Sequence, residues 1–178
     1  MRKHTNTHIH AYTYTPARWQ SLFNMNDEIK ILDYRPEYAK YFLQLNKAWI
    51  EKYFVMETSD HVYLNDPQKY IIDEGGDILF AEYNGAIIGC CALIKSDIHL
   101  YELSKMAVDP SAQGKHIGLK LGEAIIERAK TKGAKKIFLN SNTILTSAIN
   151  LYKKMGFKEV PLDSGLYTRS NIQMELQL

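Results

Sequence analysis

Two glycines lie close together in the segment Gln113–Gly118, where a β-rich run gives way to a strongly periodic helix. An ordinary helix start needs only one capping Ser, Thr, Asp or Asn, whereas glycines let a ligand approach the main chain closely. Amide groups at the start of a helix form a positive site that suits an anion, above all a pyrophosphate. The segment therefore favours an anion site. A plain glycine-containing loop is the alternative, because short glycine patterns are weak evidence alone.

The elements that would position this segment follow from hydrophobic periodicity and turn residues. Strands are predicted at 29–35, 77–83, 86–96, 100–108, 135–140 and 171–176. Helices are predicted at 36–53, 67–75, 115–132 and 147–155. Asn84-Gly85 predicts a tight hairpin. The helix between the strands at 100–108 and 135–140 is long enough for a crossover, so these fourth and fifth strands are expected to be parallel neighbours. The order predicts one mixed α/β domain.

Composition limits the function classes. The chain has 178 residues, of which 24% are charged and 46% hydrophobic, and its net charge is +2. This balance is typical of a globular protein and argues against a nucleic-acid partner. No apolar run approaches the ~20 residues of a membrane span. The two cysteines, Cys90 and Cys91, are adjacent, have no metal-type spacing, and are predicted to be reduced core thiols on opposite faces of a strand. We expect a cytoplasmic protein with no metal and no membrane association.

The first 27 residues differ from the rest, being rich in Thr and His with no sustained periodicity. They are predicted to form an N-terminal arm that is disordered, transit-like or dispensable, with Met25 as an alternative start. Residues 28–178 are predicted to form the domain.

Two longer stretches, ELSKMAVDPSAQGKHIGLKLGEAII and IFLNSNTILTSAINLYKKMGFKEV, resemble the GNAT acetyltransferase superfamily. The family pattern Gln/Arg-x-x-Gly-x-Gly/Ala opens its third helix. Gln113 and Gly118 match it, while His116 occupies the position of the first glycine. The resemblance covers residues 29–178 in element order. It implies an α/β (α+β) fold: a mostly antiparallel sheet flanked by helices, with parallel, splayed fourth and fifth strands.

The resemblance also implies acetyl-coenzyme A as the donor substrate. The family binds the pyrophosphate through loop amides and lays the pantetheine arm along the fourth strand. The residues at these positions are Gln113, Gly114, Lys115, His116, Ile117, Gly118 and Leu119 in the loop, and Met106 and Val108 in the strand. Asn142 matches a coenzyme-binding asparagine found in part of the family. Its alternative role is that of a turn residue at the start of a helix.

Acetyl transfer to an amine requires a neutral amine, a stabilised oxyanion and a protonated leaving thiolate. Tyr152 matches the family tyrosine that protonates the thiolate; the alternative is a packing role on the apolar helix face. Glu102 is the candidate base, since some relatives carry glutamate there; the alternative is a solvated or ion-paired carboxylate. Strict alternation would place Glu102 on the same face as Met106 and Val108.

The acceptor is less constrained by the sequence. The segment 55–67 reads as an exposed loop in which Glu57, Asp60 and other acidic residues serve mainly for solvation, with attraction of a cationic amine as the alternative. Arg169, beside Tyr167, is a candidate partner for an acceptor carboxylate. We therefore predict an N-acetyltransferase acting on a primary amine of a small molecule or protein. The alternatives are an acyl-CoA-binding module without turnover and a transferase of a longer acyl group; formation of a homodimer is left open.

Overall fold

The computed structural model describes residues 28–112, 114–162 and 167–178. The predicted N-terminal arm, residues 1–27, and Gln113 lie outside the described residues. Within the described ranges, none of the helices combines the length and apolar character needed to cross a membrane.

A seven-stranded sheet in the described part of the chain has the strand order β1-β2-β3-β4-β5-β7-β6. The strands are β1 (Ile29–Asp33), β2 (Asp77–Tyr83), β3 (Ala86–Asp97), β4 (Leu100–Val108), β5 (Lys136–Ser141), β6 (Lys158–Val160) and β7 (Ile172–Gln177). Neighbours are antiparallel except β4 and β5, which run parallel. Asn84 and Gly85 join β2 to β3 with φ angles of 51° and 78°, as a tight hairpin requires. The predicted mixed sheet is confirmed.

The α-helices of the described residues are α1 (Ala39–Tyr53), α2 (Thr58–Asn65), α3 (Ile117–Thr131) and α4 (Thr146–Lys154). The predictions for α1, α3 and α4 are confirmed within a few residues. The prediction of an exposed loop at 55–67 is wrong, because α2 occupies most of it. Glu57 and Asp60 form a reciprocal capping box at its start; such a box supplies partners to amides that the first turn leaves unpaired.

The short helix predicted at 67–75 is instead a π-helical turn over Gln68–Ile72. The capping residue was identified correctly, since the Asp66 carboxylate accepts a hydrogen bond from the Lys69 amide at 3.1 Å. Gly75 has a φ of 85°, which suits a glycine after a helical turn.

Two apolar cores cover the two faces of the sheet. One packs α3 and α4 against it and includes Cys91 and Leu103. The other packs α1 and α2 against the opposite face and includes Cys90 and Ala107. The adjacent cysteines are free and buried, which confirms their predicted placement on opposite faces.

A β-bulge interrupts β4 at Lys105. Ala107 pairs with Cys90 and Ser104 pairs with Ala92, so β4 has one more residue than β3 over this interval. Lys105 has a φ of 51°, and an extra residue of this kind shifts the side-chain alternation of a strand. Met106 and Val108 consequently pack with the α3/α4 core. Glu102, whose partner Ile94 belongs to the α1/α2 core, lies on the other face. The predicted common face for Glu102, Met106 and Val108 is therefore wrong.

Strands β4 and β5 separate soon after they meet. They pair only over Leu100–Glu102 and Lys136–Phe138, although β4 continues to Val108 and β5 to Ser141. The remaining part of each strand borders an opening in the sheet, which confirms the predicted splay.

Candidate active site

A cavity of about 580 Å³ occupies the opening between β4 and β5. Its walls come from Leu103–Val108 of β4, from 140–142 at the end of β5, from the first turns of α4, from the end of α1, and from Tyr167 and Arg169 near the C-terminus. Because the opening passes between the two strands, residues from both faces of the sheet line the same space.

On the α3 side, the cavity reaches the glycine-containing segment at Gly118. A Cβ atom at this position would lie 3.0 Å from Cδ2 of Leu151, so glycine allows α4 to pack closely against α3. Gly114 has a φ of 79°, and a Cβ there would meet nothing within 4 Å. Ile117 is 1% exposed, so only its main chain can serve a ligand. The segment brings main-chain groups at the start of α3 to the end of the cavity.

His116, which replaces the expected glycine, adopts the left-handed conformation with φ 57° and ψ 22°. Glycine adopts this conformation freely, while residues with a Cβ do so at a cost. The main chain at His116 therefore has a conformation that a glycine would adopt freely, with an added side chain. The neighbouring Lys115 directs its ammonium to the Tyr83 hydroxyl at 3.0 Å.

Tyr152 both packs and faces the cavity. Its ring belongs to the α3/α4 core and makes an edge contact with Phe157, with 6.2 Å between ring centroids. The residue also lines the cavity. Burial raises the pKa of its hydroxyl above the usual value, with a smaller contribution from Cys91, so the hydroxyl keeps its proton at neutral pH. Tyr152 therefore packs in the core and also lies where it could donate a proton to a ligand in the cavity.

Glu102 lies just before the cavity-lining stretch of β4 and is only 6% exposed. Burial raises its pKa from 4.5 to about 7, although the Lys105 charge and hydrogen bonding with Asn140 and Ser104 oppose the rise. Both Asn140 and Ser104 line the cavity. A carboxyl group that titrates near neutral pH is suited to accept a proton at physiological pH. The predicted alternative of a solvated carboxylate is wrong.

Asn142 lines the cavity, and both the nitrogen and the oxygen of its side-chain amide form hydrogen bonds. Its Nδ2 donates to the Arg169 carbonyl at 2.6 Å, and its Oδ1 accepts from the Ile144 amide at 3.0 Å. These bonds fix the turn before α4 and tie it to the C-terminal segment. This arrangement matches the turn role that was the alternative for Asn142.

Sequence reasoning missed a buried charged cluster on the α2 side. Asp60 is fully buried, and its carboxylate accepts hydrogen bonds from Lys105 Nζ at 2.6 Å and from both terminal nitrogens of Arg169 at 2.6 and 2.8 Å. Burial disfavours the Asp60 carboxylate, but the bonds from Arg169 and Lys105 outweigh it and lower its pKa to about 2. The prediction that Asp60 is a solvating residue is wrong. Lys105, a lysine in the middle of the largely buried strand β4, was the sequence signal for this cluster.

Within the described residues there is no group of three or more His, Cys, Asp or Glu side chains arranged to hold a metal ion. The features that remain are an opening between two parallel strands, a helix start beside it, and buried titratable groups on both faces of the sheet.

Comparison with known proteins gives the family. The model of the acetyltransferase (GNAT) family matches residues 41–157, and the chain belongs to this family. The uncharacterized N-acetyltransferase YvbK of Bacillus subtilis is 32% identical over 120 residues, which cover 64% of this chain and 77% of YvbK. For three other curated relatives, the match with this chain covers little more than half of the relative's length, between 54% and 59%. The chain is an acetyl-CoA-dependent N-acetyltransferase.

Solved structures show the same fold. A GNAT acetyltransferase from Staphylococcus aureus has a TM-score of 0.76 at 23% identity, with 84% of this chain and 99% of that chain covered. The putative acetyltransferase yncA from Salmonella typhimurium, solved with acetyl-CoA, has a TM-score of 0.65 at 20% identity, with 84% and 94% covered. At sequence identities this low, the similarity to these solved structures shows that the fold is shared.

Proposed function

We propose that the chain transfers the acetyl group of acetyl-CoA to a primary amine inside the β4–β5 cavity by direct attack. The observation that carries the proposal is that one cavity is lined by Gly118 at the start of α3, by Tyr152, and by the side chains around the β4 bulge. A single space thus joins a pyrophosphate-type loop to groups that can move protons.

For the donor, we propose that main-chain amides of residues 113–119 hold the pyrophosphate, and that the main chain of Met106 and Val108 holds the pantetheine arm. The positive end of α3 favours a bound anion. Part of β4 is not used for pairing with β5 and can form strand-like hydrogen bonds with an extended ligand. The cavity volume of about 580 Å³ is in the range of small-molecule sites. Asn142 contributes to this end of the site through its main chain and the turn that it fixes.

For the chemistry, we propose that Glu102 takes the proton of the acceptor ammonium and that Tyr152 gives its proton to the leaving sulfur. The neutral amine then forms a C–N bond to the acetyl carbon as the C–S bond breaks, the leaving sulfur takes the Tyr152 proton, and the nitrogen releases its extra proton, which restores the Tyr152 hydroxyl. The bulge supports this division, because Glu102 lies on the α1/α2 face and Tyr152 belongs to the α3/α4 core. Tyr152 lines the cavity directly, while Glu102 lies behind its lining and interacts with Ser104 and Asn140, which do line it. The acceptor enters from the face that carries the base.

The test is a calorimetric titration with acetyl-CoA, followed by measurement of thiol release with a panel of amines. We expect tight binding that depends on the pyrophosphate, and thiol release that requires an amine. Binding without release by any amine would identify an acyl-CoA-binding module instead. Faster release from longer acyl-CoA donors would identify a transferase of longer acyl groups. The cytoplasmic location remains a prediction, which cell fractionation would test. Whether the chain forms a homodimer is left open, and light scattering would decide it.

A further inference from the structure

Two cations form part of the acceptor-side wall of the cavity. Lys105 and Arg169 both line it, and among the described lining residues there is no Asp or Glu. The carboxylates that pair with these cations lie outside the lining. Asp60 is fully buried, Glu57 contacts Arg169 at 3.3 Å, and neither carboxylate is among the lining residues. The ion pairs are therefore oriented with their positive ends toward the cavity.

Both cations keep donors for a ligand. Lys105 Nζ has partners among the described residues for two of its three protons, Asp60 at 2.6 Å and the Tyr167 hydroxyl at 2.9 Å. Arg169 forms a bidentate pair with Asp60 through its two terminal nitrogens. A guanidinium group has five N–H donors, so this pair does not use all of them. The Lys105 side chain is 2% exposed and that of Arg169 is 13% exposed. Two fixed, partly unsaturated cations form a preorganised site for a carboxylate.

Aromatic side chains complete this end of the cavity. Trp49, Tyr53 and Phe54, from the end of α1, and Tyr167 line the cavity together with the two cations. Trp49 and Phe54 meet edge to face, with 6.4 Å between centroids. Lys105 and Arg169 also stack on the Tyr167 ring at 4.5 and 4.6 Å. An apolar, aromatic wall beside two cations fits a ligand with a large apolar side chain and an anionic group.

We propose that the acceptor is an amino acid-like molecule whose primary amine lies close to a free carboxylate, with an aromatic or large apolar side chain. Its carboxylate binds Lys105 and Arg169, and its side chain packs on the aromatic wall. The inference rests on the proposed acetyl transfer and adds the substrate class to it.

The experiment compares three matched acceptors that share one side chain: L-phenylalanine, phenethylamine, which lacks the carboxylate, and L-phenylalaninamide, in which it is neutral. A peptide with an N-terminal phenylalanine is the fourth. Thiol release gives kcat/KM for each. We expect L-phenylalanine to exceed each of the others by on the order of tenfold or more, mainly through a lower KM, since a charge-assisted bond is lost in the others.

Lys105→Met tests the assignment, since it removes the charge but keeps the length of the side chain. We expect it to reduce the preference for L-phenylalanine over phenethylamine to about threefold or less. The matched control is Lys69→Met, an exposed lysine that stacks on Tyr70, which should keep the full preference.

The outcomes separate the two levels of inference. If phenethylamine or the peptide is used as well as L-phenylalanine, the carboxylate site is wrong and acetyl transfer stands. Retention of the full preference in Lys105→Met would also overturn the assignment. If acetyl-CoA binds but no amine releases thiol, the proposed function fails and this inference falls with it.

Discussion

Burial acts on Glu102 and Tyr152 in the same chemical direction but prepares them for opposite tasks. It raises both pKa values because it disfavours the charged form of each group. For Glu102 the result is a carboxyl group that ionises near neutral pH and can accept a proton. For Tyr152 the result is a hydroxyl that stays protonated and can donate. The two roles that we propose require an ionisable Glu102 and a protonated Tyr152, and burial is compatible with both states.

The role of Glu102 predicts a specific pH dependence. With a pKa of about 7, the ionised base form is lost as the pH falls, so kcat/KM should drop about tenfold per pH unit below 7. Glu102→Gln should remove this limb and lower kcat/KM at pH 8 by about 10²-fold or more. An unchanged profile in Glu102→Gln would show that another group is the base.

Tyr152→Phe tests the acid. The ring is kept, so the core contact with Phe157 and the folded structure should be retained, while loss of the hydroxyl should lower kcat by about 10²-fold. The affinity for acetyl-CoA, measured by calorimetry, should change little. The neighbouring Leu151→Met is the matched control for packing on α4, and should retain most of kcat. A normal kcat in Tyr152→Phe would leave only the packing role.

His116 offers a test of the loop. His116→Gly removes the Cβ from a residue in the left-handed conformation, which should relieve about 1 kcal/mol of backbone strain and let acetyl-CoA bind several-fold more tightly. His116→Ala is the control, since it removes the imidazole but keeps the Cβ. If both variants bind acetyl-CoA alike, the imidazole and not the Cβ determines the fit.

At the scale of elements, the sequence predicted what depends on local patterns. The Asn84-Gly85 hairpin, β4 and the periodic helix α3 were identified because turn chemistry and hydrophobic spacing act within a few residues. The family resemblance indicated the loop, Tyr152 and Glu102 as candidate site residues, and their roles remain predictions. These features need no knowledge of what packs against them.

The features of the fold that the sequence did not predict depend on contacts between residues that are far apart in the sequence. Helix α2 has little apolar periodicity, and its Asp60 is buried only because Lys105 and Arg169 reach it from β4 and the C-terminal segment. The bulge at Lys105 has no local sequence signal such as glycine. Yet it reverses the face of every later residue in β4. One unrecognised residue was enough to misplace Glu102 relative to Met106 and Val108.

Helix α2 is also tethered to the C-terminal segment through Glu57. Its carboxylate accepts hydrogen bonds from the Thr168 amide at 3.0 Å and the Arg169 amide at 3.2 Å, while it caps α2. Glu57→Ala should lower the free energy of unfolding by about 1–2 kcal/mol. It should also raise the acceptor KM, because Tyr167 and Arg169 lose their support.

Acetyl-CoA affinity should stay unchanged in Glu57→Ala, since the donor site that we propose lies at the start of α3. Glu51→Ala is the matched control. Glu51 forms an exposed pair with Lys47 at 3.7 Å, and such pairs contribute little. Equal effects of both substitutions on KM would argue against the tether.

At the scale of the whole molecule, buried and half-buried charges join elements that are distant in sequence. Asp60 connects α2 to β4 and to the C-terminal segment through Lys105 and Arg169. On the opposite face, Arg128 of α3 pairs with Asp33 of β1 and Asp77 of β2. Lys105 and Arg169 of the first network line the cavity, so the network couples the stability of the fold to the shape of the proposed acceptor site.

The two buried carboxyl groups predict how stability varies with pH. Asp60 has its pKa lowered from 3.8 to about 2, so its contribution is complete above about pH 4 and is lost as the pH falls to about 2, a loss of about 2 kcal/mol. Glu102 has its pKa raised from 4.5 to about 7, so it favours folding at low pH. That contribution declines by about 3 kcal/mol as the pH rises from about 4.5 to 7.

Together, these groups should give a maximum in the free energy of unfolding near pH 4 to 5, measurable by urea denaturation from pH 2 to 8. Glu102→Gln should abolish the decline in the free energy of unfolding above pH 4.5 and be more stable than the wild type at pH 8.

Asp60→Asn should remove most of the loss of stability at acid pH. It should also lower the free energy of unfolding by about 3–5 kcal/mol at pH 5, because Lys105 and Arg169 remain buried without their carboxylate. A decline above pH 4.5 that persists in Glu102→Gln would mean that Glu102 is ionised at no unusual cost in the folded protein. Its assignment as a base tuned by burial would then be wrong, even if the fold is unchanged.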